Sequence, residues 1–131
     1  MAEMFETDVT DYSFFTAGAD LSAKQYHIVK LGSGGQIELC TSSDVPVGIL
    51  VNKPRQGEAA KVRVKGVSRV KVSSAGLAQG AAYGADDNGY AVAMSLDKDN
   101  YLGMCLIAGP TSAGALATVS VDGMIRHTLH V

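Results

Sequence analysis

The side chains best suited to chemistry are three histidines, two cysteines and short acidic clusters, and their spacing favours no catalytic site. His127 and His130 are three apart in the segment IRHTLHV. On a strand this spacing places them on opposite faces, which suits a shared metal ion poorly. The segment GSGG at positions 32–35 joins two β-rich runs and lacks the GxxxxGK(S/T) and GxGxxG patterns of phosphate-binding loops. No serine lies in a GxSxG motif. We therefore expect no enzymatic activity, no cofactor and no metal site.

The acidic clusters and the cysteines also have structural explanations. The sequences DDNG and DKDN are typical of turns, with a calcium site at the second as the alternative. Cys40 follows one apolar strand-like run and Cys105 lies inside another. Both are predicted to be small buried hydrophobic residues. A disulfide between them is the alternative, disfavoured because thiols stay reduced in the cytosol.

A strongly basic segment lies in the middle of the chain. Seven of the eleven basic residues fall between positions 53 and 71, against one acid, Glu58. The sequence AKVRVKGVSRVKV alternates as a strand does, which predicts Val62, Val64, Val70 and Val72 on one face, cations on the other, and a bend or bulge at Gly66. Such a face suits a solvated surface or a subunit contact. Nucleic-acid binding is the alternative, although the segment lacks aromatic side chains on which bases stack. The predicted electrostatic contact residues are Arg55, Lys61, Arg63, Lys65, Arg69 and Lys71.

Residues 1–20 are predicted to form an extended N-terminal arm. They contain five acids, no Lys or Arg and all three phenylalanines of the chain. Exposed aromatic side chains on an arm are typical of a docking segment. The alternative is that Tyr12–Phe15 belongs to the first strand of the core. The contact residues predicted for the arm are Phe5, Tyr12, Phe14 and Phe15.

The composition of the whole chain indicates a mainly β fold with little helix. The chain has 131 residues, 47% of them hydrophobic and 18% charged, with 15 glycines, three prolines and no tryptophan. Short strands separated by Gly-rich turns predict a small β-barrel or β-sandwich over residues 21–131, as a single domain. The acidic start is unlike a secretory signal, and the apolar runs are too short to cross a bilayer. We therefore expect a soluble protein that does not bind membranes.

The second half of this domain resembles the first, which predicts a quasi-repeat of residues 21–66 and 77–123. Landmark residues keep nearly constant separations: Leu21 with Leu77, Gly48 with Gly103, and Gly66 with Gly123. Each copy is a strand–turn–strand unit. Two such units would close into a two-lobed barrel or sandwich, because closure removes exposed sheet edges.

Several sequence segments resemble the capsid decoration, or cement, proteins of tailed bacteriophages. The resemblance covers nearly all of residues 17–125, and it rests on turns and strands, with no catalytic motif. It departs at residues 1–16 and at the C-terminal IRHTLHV. The matching segments are AGADLS at 17–22, VPVGIL at 45–50, NKP followed by GEAA and VRVKG within 52–66, and GLAQGAAYGADDNGYAV at 76–92.

This resemblance implies a structural virion protein on the outer capsid surface, made in the cytoplasm of a bacterial host. It implies homotrimers that bind the major capsid protein at sites of local three-fold symmetry and stabilise the expanded shell. The N-terminal arm would add a strand to a capsid protein edge, and its acids would meet the basic strand of another subunit. No nucleic acid or membrane is expected as a partner.

Two other classes of function stay open from the residues alone. A small binding or adhesive module, such as a carbohydrate-binding domain, is the first, although tryptophan is absent and Tyr83, Tyr90 and Tyr101 are scattered. An enzyme whose site is assembled from scattered residues is the second, and it would need a polar cluster in a pocket.

Overall fold

Nine β-strands make up the regular structure in the part of the chain that the computed structural model describes, residues 9–94 and 101–122. One turn of 3-10 helix, Ser33–Gly35, is added to them. No helix among these residues is long and apolar enough to cross a membrane. The mainly β prediction is confirmed. The strands are β1 Thr10–Ala17, β2 Ile28–Leu31, β3 Gln36–Leu39, β4 Gly48–Leu50, β5 Ala59–Lys71, β6 Ala82–Ala85, β7 Ala91–Ala93, β8 Gly103–Ile107 and β9 Leu116–Asp122.

Two of the predicted turns are present in the structure, whereas the DKDN segment at 97–100, with its alternative calcium site, lies outside the described residues. The GSGG segment connects the antiparallel strands β2 and β3, and its Gly34 and Gly35 have positive φ angles of 66° and 79°. These backbone conformations favour glycine because it has no Cβ. In the DDNG turn, Oδ1 of Asp86 accepts hydrogen bonds from the N–H groups of Asn88 and Tyr90. The acid therefore closes the turn between β6 and β7.

The first five strands close into a ring. They follow one another in the order β1, β3, β2, β4, β5, and β1 also pairs with β5. Every strand of the ring contributes to one buried cluster, as in the filled interior of a small β-barrel. The members of this cluster are Phe15, Ala17, Leu21, Val29, Ile37, Val47, Leu50, Ala60, Val62 and Val64.

The last four strands form a similar arrangement on the far half of β5. They continue the sheet in the order β9, β8, β6, β7, and a parallel bridge between Val72 and Ala91 leads from β7 back to the end of β5. A second buried cluster lies here: Ile28, Cys40, Ile49, Val70, Val72, Leu77, Tyr83, Ala85, Ala91, Leu102, Cys105, Ala117, Val119 and Val121.

Strand β5 serves both arrangements because it is thirteen residues long. Val62 and Val64 belong to the first cluster, whereas Val70 and Val72 belong to the second. Gly66 lies between them and has a φ angle of 112°, so the backbone irregularity predicted at this glycine is confirmed. The four valines are buried, as predicted.

The strand pairing of the N-terminal half recurs in the C-terminal half, with corresponding residues 54 to 57 positions apart. The matched pairs are Val29–Leu39 with Tyr83–Ala93, Val29–Gly48 with Tyr83–Gly103, Leu50–Val62 with Cys105–Val119, and Phe15–Ala60 with Val70–Ala117. The strand pairing therefore repeats at about the separation that the sequence landmarks keep. The repeated unit is longer than residues 21–66, because it begins with β1 and its second copy begins within β5.

The prediction that residues 1–20 form an extended arm is wrong for its second part. Thr10–Ala17 forms β1, and Phe15 and Ala17 are buried in the first cluster. The alternative, in which Tyr12–Phe15 belongs to the first core strand, is the one that the structure shows. The register of β1 against β5 shifts between Tyr12 and Phe15, which breaks the alternation that marks a strand in sequence. Residues 1–8, with Phe5, lie outside the described residues.

The two halves contact each other through the turn between β6 and β7. The hydroxyl and backbone N–H of Ser42 donate to Oδ1 of Asp87, at 2.7 and 3.1 Å. The side chains of Ile28, Cys40 and Ile49 lie in the second cluster although their strands belong to the first ring or adjoin it.

Cys40 and Cys105 are both buried and free, so the thiol prediction is confirmed and the disulfide alternative is wrong.

His27 lies at the contact between the two halves. Its imidazole is buried, lies 4.9 Å from the ring of Tyr90 and has Nδ1 3.0 Å from the carbonyl oxygen of Asn88. Burial lowers the pKa of His27, and the charges of Lys24 and Lys71 lower it further, while the Asn88 carbonyl and Asp86 oppose them. The neutral imidazole is therefore favoured in the folded protein.

We expect the free energy of unfolding to fall as the pH drops below about 6.5, the ordinary pKa of histidine in the unfolded chain. In this range the unfolded chain binds the proton before the folded protein does, so acid favours unfolding until the pH passes the folded pKa. Urea denaturation of wild type and His27→Gln between pH 5 and 8 gives the slope of the free energy of unfolding against pH for each protein. The other histidines are present in both proteins, so the difference between the two slopes reports on His27. Equal slopes would contradict this account.

Candidate functional site

Three aromatic rings cluster on β1. Phe14 is 74% exposed, Tyr12 is half-buried and Phe15 is buried. The ring centroid of Phe14 lies 4.3 Å from that of Phe15 and 5.5 Å from that of Tyr12. We call these three side chains the aromatic patch. Phe15 anchors the patch in the core, and Phe14 presents an aromatic face to solvent.

The register shift in β1 accounts for the exposure of Phe14. Tyr12 pairs with Val62 and Phe15 pairs with Ala60, so three residues of β1 advance while two of β5 do. An extra residue in one strand re-aims the side chains around it. The other edge of β1 pairs with β3 only at Thr16 and Ala17, so no described strand covers that edge at positions 10–15. Such an edge can accept a strand from another protein.

A buried ion pair lies beside the aromatic patch. Nε and Nη2 of Arg63 donate to the two carboxylate oxygens of Asp11, at 2.8 and 3.0 Å, and Nζ of Lys61 lies 3.9 Å from Oδ2 of Asp11. Arg63 is buried, so it does not share the exposed cationic face predicted for it. One acid of the predicted arm thus meets the basic strand within a single chain, because β1 and β5 are paired strands.

The other predicted basic contact residues remain accessible. Lys61, Lys65 and Arg69 are exposed on β5, and Lys71 is half-buried at its end. Arg55 is exposed in the turn before β5, where Oε1 of Glu58 accepts a hydrogen bond from its backbone N–H. The structure therefore places one cation beside the aromatic patch and the others further along β5 or in the preceding turn.

The metal-ligating and nucleophilic side chains that the structure describes lie in residues 9–94 and 101–122. No group of three His, Cys, Asp or Glu side chains in these ranges has the geometry to hold a metal ion. Burial raises the pKa of the Cys105 thiol and of the Tyr83 phenol, so both stay protonated near neutral pH. The Tyr83 hydroxyl donates to the carbonyl of Ser120 at 2.7 Å, which is a structural contact. His127 and His130 lie outside the described residues.

Sequence reasoning missed a second exposed apolar strip, on β8. Met104, Leu106 and Ile107 are between about a third and a half exposed. In sequence, the run LGMCLI reads as a buried strand, and one residue of β8, Cys105, is buried. A β-bulge lies between Cys105 and Ile107, and both Leu106 and Ile107 are exposed. No pattern in the sequence indicates this bulge.

The fold is similar to those of two bacteriophage proteins of known structure. The N base of head fiber gp8.5 in bacteriophage phi29 matches with a TM-score of 0.64 at 15% identity, over 87% of this chain and 94% of that chain. A chain of the capsid of Myoviridae phage XM1 matches with a TM-score of 0.57 at 19% identity, over 88% and 82%. Neither a protein-family model nor a curated protein sequence matches the chain. The resemblance to phage capsid proteins seen in the sequence is thus matched by the structure: this chain shares its fold with a phage head fiber base and a phage capsid chain.

Proposed function

We propose that this chain is a structural virion protein of a tailed phage, which binds the outer capsid surface as a homotrimer at sites of local three-fold symmetry and stabilises the expanded shell. The observation that carries the proposal is the fold shared with a phage head fiber base over 87% of the chain. The sequence segments that resemble decoration proteins support it. The described residues assemble no metal-binding group that would favour catalysis.

The aromatic patch is the capsid contact in this proposal. An exposed phenylalanine beside an open strand edge offers both apolar area and backbone hydrogen bonds to a shell protein. Tyr12 and Phe15 orient the ring of Phe14, and Phe5 extends the contact from the N-terminal segment. Lys61, Lys65, Arg69, Lys71 and Arg55 supply electrostatic contacts to the capsid or to another subunit. Three such patches in one trimer bind together, so weak single contacts give a strong total affinity.

The proposal is tested by co-sedimentation of the purified protein with expanded capsids of its own phage that lack decoration. We expect saturable binding near one copy per capsid protein subunit, because a trimer at each local three-fold site supplies one copy per surrounding subunit. Heating the decorated and bare capsids then measures stabilisation of the shell. Absence of saturable binding would overturn the proposal.

Replacing Phe14 with serine should weaken capsid binding at least tenfold and leave the fold intact. Its ring is 74% exposed, so the loss in folding stability should stay below about 1 kcal/mol, whereas a central aromatic contact costs about 2 kcal/mol or more when it is truncated. Leu31→Ser, at another exposed apolar residue, is the matched control. Equal affinities for Phe14→Ser and wild type would remove the aromatic patch from the contact. A deletion of residues 1–16 would not test the aromatic patch alone, because it also removes most of β1 and the buried Phe15.

A further inference from the structure

The outer face of strands β5, β9 and β8 combines apolar and basic side chains in aligned rows. Arg69 pairs with Thr118, and Thr118 pairs with Ile107. Directly paired residues of neighbouring strands point to the same side of the sheet. One row therefore runs from a guanidinium on β5, across a hydroxyl on β9, to an apolar side chain on β8. We call this surface, made of Lys65, Arg69, Thr118, Ser120, Met104, Leu106 and Ile107, the basic–apolar face.

A bulge in β8 widens the apolar part of this face. Cys105 pairs with Val119 while Ile107 pairs with Thr118, so two steps on β8 match one step on β9. Two residues of a bulged strand then lie opposite one of its partner, and Leu106 and Ile107 are both exposed. Met104 joins them, with its backbone N–H donating to Oγ of Ser120 at 3.0 Å. Three neighbouring apolar side chains thus lie on one solvent-facing strand.

The repeated pairing shows that this face differs from its counterpart in the N-terminal half. Ile49 corresponds to Met104, because the pair Ile28–Ile49 recurs as Ala82–Met104. Ile49 is fully buried in the second cluster, whereas Met104 is 47% exposed. The same position is therefore covered by the residues of the second cluster in one half of the chain and uncovered in the other. An apolar strand face that has a covered counterpart suits a protein contact.

The charges define the chemistry of the missing cover. Lys65 and Arg69 are exposed along the β5 border of the face, and the one carboxylate opposite them within the described strands is Asp122, paired with Lys65. A matching partner needs carboxylates beside apolar side chains. The other carboxylates of the described residues have partners within the chain, among them Asp11 with Arg63, Asp44 with Lys30, and Asp87 with Ser42. Since the carboxylates of the described residues are engaged, we take a different protein as the partner of this face.

We propose that the basic–apolar face is a second docking surface, which takes an acidic segment with apolar side chains from the capsid shell protein. The apolar side chains lie over Met104, Leu106 and Ile107, and the carboxylates pair with Arg69 and Lys65. This inference rests on the proposed function. It adds a contact on the C-terminal half that is separate from the aromatic patch.

Charge reversal at the border of the face tests the proposal. Arg69→Glu should raise the Kd for expanded, undecorated capsids about tenfold. The variant and wild type are compared at equal concentrations of folded protein. Lys53→Glu makes the same charge change at an exposed residue in the segment before β5 that belongs to neither proposed contact, and it is the matched control. Its affinity should stay within about twofold of wild type. If both variants bind alike, the docking surface is overturned while the proposed function stands.

Crosslinking identifies the occupant. A photoreactive phenylalanine analogue at Ile107, with the same substitution at Leu31 as control, is irradiated on the capsid, and the crosslinked peptides are identified by mass spectrometry. A crosslink from Ile107 to an acidic segment of the shell protein supports the proposal. A crosslink to another copy of this chain overturns it. Absence of any crosslink from Ile107, in a protein that still binds capsids, overturns it as well. Failure of wild type to bind capsids at all overturns the proposed function and this inference together.

Discussion

Replacing Arg63 with methionine will lower the free energy of unfolding by about 3 kcal/mol, because it leaves the Asp11 carboxylate without its main partner. The guanidinium and the carboxylate are joined by two hydrogen bonds of 2.8 and 3.0 Å, and their side chains are only 10% and 14% exposed. Lys61 lies 3.9 Å from the same carboxylate but is half exposed, so it cannot replace the lost contacts. Urea denaturation followed by circular dichroism measures the change.

Two controls separate the ion pair from a general loss of charge. Arg69→Met removes an exposed cation from the same strand and should change stability by less than about 0.5 kcal/mol. Arg63→Met combined with Asp11→Asn should recover part of the loss, since the buried negative charge is gone as well. An Arg63→Met variant as stable as Arg69→Met would show that β1 does not depend on this pair.

Alanine at either Gly48 or Gly103 will destabilise the protein by similar amounts, about 2 kcal/mol or more. A Cβ at Gly48 would collide with the backbone carbonyl oxygen of Arg63, and a Cβ at Gly103 would collide with that of Ser120. Each glycine begins the fourth strand of its repeat, β4 or β8, where the neighbouring backbone crosses closely. Because backbone atoms cannot move aside as a flexible side chain can, the sheet itself must shift.

Gly18→Ala is the matched control for this pair. Its Cβ would meet neighbouring atoms at 3.3 Å, which requires a shift of a few tenths of an ångström, and we expect a loss of less than about 1 kcal/mol. Thermal or urea unfolding of the three variants under identical conditions gives the comparison. A small effect at only one of Gly48 and Gly103 would contradict their equivalence in the repeated strand pairing.

Local sequence signals predicted the strands and turns well where they were regular. The alternation in β5, the GSGG turn and the spacing of Gly48 and Gly103 each had a direct counterpart in the fold, since each depends on neighbouring residues or on glycine geometry. Strand β1 was harder to predict because its register shift hides the alternation of Phe15 and Ala17. The sharing of β5 between two clusters depends on long-range pairing, which no local pattern reports.

The exposure of the candidate contact residues was predicted only in part. Phe14 is exposed as a docking residue should be, but Phe15 belongs to the core, and Arg63 is buried by its pairing with Asp11. A basic residue in an alternating strand looks exposed in sequence, whereas a partner strand of opposite charge can bury it. The exposed side of β8 was missed for the reverse reason, because an apolar run looks buried when no bulge can be seen.

The most direct test of the central claim is an electron cryo-microscopy map of expanded capsids saturated with the purified protein. Our account predicts three copies of the nine-stranded fold around each local three-fold site on the outer surface, with Phe14 of each copy against the shell. Capsids that show no added density on the outer surface at saturating protein would contradict the claim that this chain is a capsid-binding virion protein.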